Sequence, residues 1–225
     1  MSEKLSANIQ DYLKHIYEIT SSGGKASTNK LADKLGISAA SVTNMLQKLA
    51  KTEPPYVTYQ KYQGVRLTQS GRVAALKIIR CHRLVELHLV ETLGYGWHEA
   101  HQEAEILEHA VSPLLESRID AALSYPKFSH HGDPIPNSNL AIPQQEHILL
   151  SRLEVGETAL ILRVPHEDPQ ILGYLEKSGI IPGFHIKLLS CAPHDQTLRI
   201  QVIETSEKVV IGPNLSKEIA LSVTE

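Results

Sequence analysis

The stretch His98 to His109, HEAHQEAEILEH, holds the residue types in this chain best suited to chemistry. Read as a helix, it places His101, Glu105, Glu108 and His109 at i, i+4, i+7 and i+8, on one face. Two imidazoles and two carboxylates on one face make a set of metal ligands, where an ordinary amphipathic helix carries Leu or Ile. Each of them alone is more simply a solvated polar group. A second helix supplying further ligands turns that balance, and the chain offers one. From Ser70 to Leu93 a long helix is predicted, with His82 and Glu86 one turn apart and pointing the same way. The short GYGW loop would fold the two helices antiparallel. His88 falls on another face and is expected to be solvated, as is His98. Cys81 reads as buried packing.

The elements before this pair explain why such ligands would matter. Ser6 to Thr20 is predicted helical, with Ile9, Leu13, Ile16 and Tyr17 on one stripe. Asp11 near its start is, by itself, an acid favoured by the helix dipole. Ser27 to Leu35 starts on a capping residue and stops at Gly36; Ser38 then opens SAASVTNMLQKLAK. Two short helices joined by LGIS form a helix-turn-helix, whose second helix exposes Ser41, Asn44, Gln47, Lys48 and Lys51. Small polar and basic groups of this kind suit base edges and phosphates. Tyr56 to Lys61 and Val65 to Thr68 read as a hairpin, so the unit is a winged helix with Lys61 and Arg66 on its wing in reach of phosphates.

Ser112 to Leu123 continues as helix, and a proline-rich run from 126 to 143 reads as a linker or an ordered loop. Beyond it the pattern changes to period two. Six short strands with one helical insertion, Asp168 to Lys177, point to a small β-barrel. The fold class expected is therefore a mainly α N-terminal winged helix-turn-helix plus a helical domain, with a small C-terminal β-barrel. The domain boundaries expected are 1–73, 74–142 and 143–225.

Composition narrows the function classes. With 225 residues, 42% hydrophobic and 21% charged, the chain can bury a real core. Its net charge of −3 hides an asymmetry: residues 1–75 carry ten Lys and Arg against five Asp and Glu, the remainder 12 against 20. A basic front on an acidic body fits a polyanion partner. Twelve His is high for a side chain that is the commonest metal ligand. Two Cys cannot build a disulfide framework, and no apolar run is long enough to span a membrane, so a cytoplasmic protein with no membrane partner is expected. A metalloenzyme would use the same His and Glu cluster, a Glu serving as base beside a metal-bound water. No HExxH spacing occurs, however, and neither an enzyme nor a small-molecule substrate is expected. A metal-independent winged-helix regulator is the other alternative.

The run DYLKHIYEI, then ASVTNMLQKL, KYQGVRLTQSG, CHRLVE, HQEAEILEH and HGDPIP together resemble the diphtheria-toxin-repressor family of metal-dependent transcription repressors. The likeness covers almost the whole chain, in the long form whose C-terminal domain is SH3-like; YLEKSGIIPG looks like the ferrous-transport-A type of that fold. The resemblance implies a homodimer on a palindromic operator in double-stranded DNA, a helical domain that dimerises, and two metal sites per subunit. Matched by position, the activating site would use Asp11, Glu105, Glu108 and His109, with His82 shared or close by. The ancillary site would use His82, Glu86 and His101, completed from the barrel by Glu167 and Gln170, with Asp168 an equal candidate. On the recognition helix, Ser38, Ala40 and Asn44 would meet bases. Thr28, Asn29, Ser41, Thr43, Lys51 and the wing would hold phosphates.

Iron-responsive members of that family place Met and Cys where this chain has Asp11 and Glu105. Oxygen in place of sulfur makes a harder set, which suits Mn2+, with Fe2+ the alternative. Co2+, Ni2+ and Zn2+ are expected to bind in vitro. Lys14 stands where short manganese sensors carry a second Glu, and its charge should disfavour a paired-metal arrangement.

Overall fold

A computed structural model describes residues 5–21, 26–60, 63–165 and 168–223. The described chain divides into two compact units. One comprises Met1–His82, Leu107–Ser112 and Pro136–Ala141; the other comprises Arg83–Ile106, Pro113–Ile135 and Ile142–Glu225.

The first unit starts with α1 (Ala7–Ser21), which buries Tyr12, Leu13, Ile16 and Ile19, at i, i+1, i+4 and i+7, along one core-facing stripe. The helix-turn-helix follows as α2 (Thr28–Leu35) and α3 (Ala39–Leu49). Ser27 Oγ accepts from Lys30 N to open α2, and Ser38 Oγ accepts from Ser41 N to open α3. Between them Gly36 takes φ +66°, a left-handed stop that suits glycine. Leu31, Val42, Leu46 and Leu49 close over α1, making one hydrophobic core. Glu18 on α1 ties to α2 through Lys34 at 3.3 Å. Burial opposes its ionisation, but the His15 hydrogen bond and the Lys34 charge outweigh burial and hold its carboxyl well below the usual range.

The wing is β1 (Val57–Gln60) paired antiparallel with β2 (Gly64–Leu67), in the register Val57↔Leu67 to Gln60↔Gly64. A bridge from Ala26 to Val65 seats it beside α2. Helix α4 (Gln69–Leu93) then runs for 25 residues and passes from the first unit into the second.

The second unit carries the rest of α4, most of α5 (Trp97–Leu107), and α6 (Pro113–Ala122). Its sheet has six antiparallel strands in the order β3-β8-β4-β5-β6-β7, from β3 (Ile148–Leu149) and β4 (Thr158–Arg163) through β5 (His185–Cys191), β6 (Leu198–Val202) and β7 (Lys208–Ile211) to β8 (Ala220–Val223). Buried residues alternate along β5 to β7, as the period-two pattern requires. Helix α7 (Pro169–Lys177) is the expected insertion, capped by Asp168. Leu172 and Leu175 on α7, with Ile161, Ile186 and Ile200 on the strands, share one core with Trp97 of α5.

The proline-rich run is an ordered loop, with Phe128 bridged to Pro134 and Ile135 N donating to Lys127 O at 2.8 Å. At its turn Gly132 has φ +86°, and an added Cβ would stand 1.8 Å from Leu162 O. Gly132→Ala therefore needs backbone to move and should cost several kcal/mol by analogy with other strained or overpacked sites. Gly156→Ala, at φ +99° with nothing within 4 Å, should cost only about 1 kcal/mol of left-handed strain. Thermal unfolding of the two variants measures the contrast, and equal losses would refute it.

Candidate functional site

Of the four residues expected on one face of α5, His101 and Glu105 lie on the helix and Glu108 and His109 in the turn that follows it. The helix ends at Leu107, where Ala110 N and Val111 N both turn back on Leu107 O at 2.8 and 3.0 Å. The chain is heading for Ser112–Pro113, and a residue before proline is pushed out of helical geometry. Glu108 and His109 follow the end of the helix and lie in the first unit.

There they meet α1. His109 Nε2 lies 2.9 Å from Asp11 Oδ1 and 3.6 Å from Glu108 Oε1, while His109 Nδ1 lies 2.7 Å from Gln10 Oε1. Asp11, Glu108 and His109 each offer a donor atom within 4.8 Å of the others. Two carboxylates and one imidazole are a hard oxygen-nitrogen set that fits a divalent ion. Gln10 was not anticipated from the sequence; its contact with His109 Nδ1 is of the kind that orients an imidazole when the other ring nitrogen ligates a metal.

The same Glu108 is already engaged by a cation of the chain. Lys14 Nζ donates to Glu108 Oε1 at 3.0 Å and Oε2 at 2.8 Å, and lies 3.2 Å from His82 Nδ1. His82 Nδ1 is also 2.5 Å from Glu108 Oε2. Lys14 is 3% exposed and Glu108 4%, so this is a buried ion pair, not a solvated one. The cation expected to disfavour a paired-metal arrangement holds both oxygens of one candidate ligand. Cys81 is buried packing as read, its thiol directed at Glu108 O.

The second unit holds Glu86, His101 and Glu105. His101 Nδ1 lies 3.0 Å from Glu86 Oε1, and His101 Nε2 lies 3.8 Å from Glu105 Oε1. Two residues missed from the sequence join Glu86 here, His130 and His131; His131 Nε2 lies 3.7 Å from Glu86 Oε1. They occupy an aperiodic proline-rich run, so spacing gave no direction to them; the signals were the doubled His and the HGDPIP run that begins at His131. Of the barrel candidates, Glu167 lies outside the described residues. Gln170 is exposed, and Asp168 Oδ1 accepts from Gln170 N and Ile171 N as a helix cap. His98 is exposed as expected, whereas His88 is not solvated as read: its Nδ1 is buried.

On the nucleic-acid side, Asn29, Ala40, Ser41, Asn44 and Lys51 are exposed on or next to α2 and α3, and Arg66 is exposed on β2. Thr28 is half-buried at the start of α2. Ser38 and Thr43 have local partners, Ser38 as the α3 cap and Thr43 Oγ1 donating to Ala39 O at 2.9 Å. Lys61 lies outside the described residues.

Comparison with known proteins matches all three segments. Residues 4–65 match the family "Iron dependent repressor, N-terminal DNA binding domain". Residues 68–137 match "Iron dependent repressor, metal binding and dimerisation domain", and residues 148–223 match "FeoA domain". The iron-dependent repressor IdeR of Mycobacterium tuberculosis is 32% identical over 187 residues, 78% of this chain and 80% of its own. The transcriptional regulator MntR of Geobacillus kaustophilus is 32% identical over 118 residues, 52% of this chain and 82% of its own. A solved manganese-dependent transcriptional repressor in complex with manganese superposes at TM-score 0.85 with 36% identity, covering 96% of this chain and 100% of that one. The chain belongs to the iron-dependent repressor family of metal-dependent transcriptional repressors, with a FeoA domain following its DNA-binding and metal-binding domains.

Proposed function

We propose that this chain is a manganese-responsive repressor that binds palindromic operator DNA as a homodimer. The observation that carries it is the convergence of Asp11, Glu108 and His109, two carboxylates and an imidazole with no sulfur among them. A divalent ion bound there supplies the positive charge that lets these donors share one point. Asp11 belongs to α1, which packs into the core of the helix-turn-helix, and Glu108 and His109 follow α5. Drawing them together fixes α1 against residues 107–112, and so favours one arrangement of the DNA-binding domain over others. Glu105, which the family resemblance adds to this set, strengthens its oxygen character. Glu86, His101 and His82 are candidate ancillary ligands by the same resemblance, with Glu167 and Gln170 from the FeoA domain.

The exposed apolar side chains Leu93, Ile106, Leu114 and Leu115 supply the surface for a two-fold partner. Asn44 and Ala40 would read bases, an amide pairing with adenine and a methyl meeting thymine. Ser41, Asn29, Lys51 and Arg66 would hold phosphates. The work of the chain is binding, and no catalytic role falls to these residues. Hard donors favour Mn2+ or Fe2+, and the other divalent ions of the first row, Co2+, Ni2+ and Zn2+, are expected to occupy the site in vitro. The relatives divide in the same way, one named for iron and one solved with manganese.

One rival reading has an observation of its own. Lys14 already neutralises Glu108, and a cluster with a built-in cation can stand without metal. A gel shift with Mn2+ and with EDTA separates the two. Retardation of operator DNA that appears with Mn2+ and vanishes with EDTA is expected; retardation indifferent to both would leave a metal-independent regulator. Asp11→Met with Glu105→Cys should move the response towards Fe2+, and an unchanged preference would mean that ligand hardness does not set selectivity.

A further inference from the structure

We infer that Glu18 is a positioning residue for DNA recognition: through Lys34 it fixes the end of α2, and with it the start of the recognition helix α3, against α1. Glu18 Oε2 lies 3.3 Å from Lys34 Nζ and 3.0 Å from His15 Nδ1. His15 thus holds the carboxylate in the orientation that meets Lys34. The side chains of Glu18 and Lys34 are each 27% exposed, so the pair is partly solvated. Neither residue belongs to the base, phosphate or metal sets named above.

The tie sits where direction matters. Helix α2 has eight residues, about two turns. Leu31 and Ala32 seat it on the apolar core, but apolar burial is non-directional and does not by itself fix the roll of so short a helix. Lys34 stands in its last turn, and a bond from there to α1 sets that roll. Only residues 35–37 separate Lys34 from Ser38, the cap of α3. That connection is held by Gly36 N donating to Asp33 O at 3.4 Å and Ile37 N donating to Ala32 O at 3.1 Å. A shift of Lys34 is therefore passed on to Ala40, Ser41 and Asn44, exposed on the first turns of α3.

The other end of the same stripe is the candidate metal centre. Asp11, His15 and Glu18 follow at i, i+4 and i+7 along α1. Asp11 meets His109 at 2.9 Å, and Glu18, roughly 10 Å further along the helix, meets α2. An α1 ordered at Asp11 has in Glu18 a polar route to the recognition helix. This role rests on the DNA-binding reading of α3 and not on which metal activates the chain. Charge alone predicts the opposite effect of Glu18: an acid beside a polyanion repels it, so its removal should tighten every DNA complex.

The test uses the full chain with saturating Mn2+ and two labelled duplexes at one salt concentration. One duplex is selected from a random pool by the parent chain, and the other is its scrambled sequence. Glu18→Gln removes the charge and keeps the shape. It should weaken binding to the selected duplex about fivefold, the equivalent of about 1 kcal/mol, and leave the scrambled duplex bound at least as tightly as by the parent. Lys34→Gln should weaken the selected duplex by a similar factor. The double variant should be no weaker than either single one, because both remove the same tie. Unchanged or tighter binding of the selected duplex by Glu18→Gln overturns the proposal, as does an equal loss on the scrambled duplex. Additive losses in the double variant overturn the route through Lys34. Calorimetry with Mn2+ alone should give Glu18→Gln the affinity of the parent; a matching loss there would move the effect to the metal donors and overturn the assignment. A parent whose DNA binding ignores EDTA would end the manganese reading and leave the duplex comparison standing.

Discussion

Asp11→Ala is expected to raise the Mn2+ concentration needed for operator binding by on the order of 100-fold, the upper end of the roughly 10- to 100-fold that losing even an outer-shell partner costs. The carboxylate is one of three donors converging between α1 and residues 107–112, and the one contributed by α1. Removing it leaves Glu108 and His109 with no donor from the DNA-binding domain to join them. The fold itself should hardly notice. The Asp11 side chain is 31% exposed, and its 2.9 Å contact with His109 is a partly solvated ion pair, worth about 0–1 kcal/mol. Fluorescence anisotropy of labelled operator against Mn2+, with thermal unfolding in EDTA as the control, separates the two effects. Wild-type Mn2+ dependence in the variant would remove Asp11 from the site.

Lys14→Met acts in the opposite direction. Its ammonium is buried and holds both oxygens of Glu108, at 3.0 and 2.8 Å. Deleting one partner of a buried pair strands the other charge, at a cost of roughly 3–5 kcal/mol, so the metal-free variant should unfold about 6–20 °C lower than the parent. Glu108 then no longer faces the Lys14 ammonium, and a divalent ion meets a carboxylate engaged by the imidazoles of His82 and His109. The half-saturating Mn2+ concentration should fall by about tenfold, the equivalent of 1.4 kcal/mol, and saturating Mn2+ should restore much of the lost thermal stability. Differential scanning calorimetry with and without Mn2+ reads both effects. If Mn2+ raises the midpoint of variant and parent equally, Lys14 does not compete with the ion. In this view Lys14 sets the threshold at which the chain responds to metal, because Glu108 must exchange one cation for another.

Much of the scaffold was readable from local pattern. Ser27 and Ser38 open α2 and α3 as caps, and Gly36 ends α2 at φ +66°, all as residue type required. The hairpin of the wing and the six strands of the C-terminal sheet followed from alternation. The periodicity of HEAHQEAEILEH continues to His109, yet α5 stops at Leu107, where Ala110 N and Val111 N turn back on Leu107 O ahead of Ser112–Pro113. His130 and His131 carried no periodic signal at all. Ser38, which the family resemblance assigns to a base, also caps α3 through its hydroxyl.

By itself the sequence determined the order of domains, the helix-turn-helix with its wing, the change from helical to strand period, and a supply of hard metal ligands. These depend on hydrogen bonds and side-chain spacing within a few residues, which residue type controls directly. Only the tertiary structure decided that Lys14 closes on Glu108 and that Glu86 lies beside His130 and His131, whereas the grouping of Asp11 with Glu108 and His109 was already implied by the family resemblance. Those groupings join residues tens of positions apart. A ligand set is a set of distances, and distances across the chain are settled by the packing of whole elements, not by the period of any one of them.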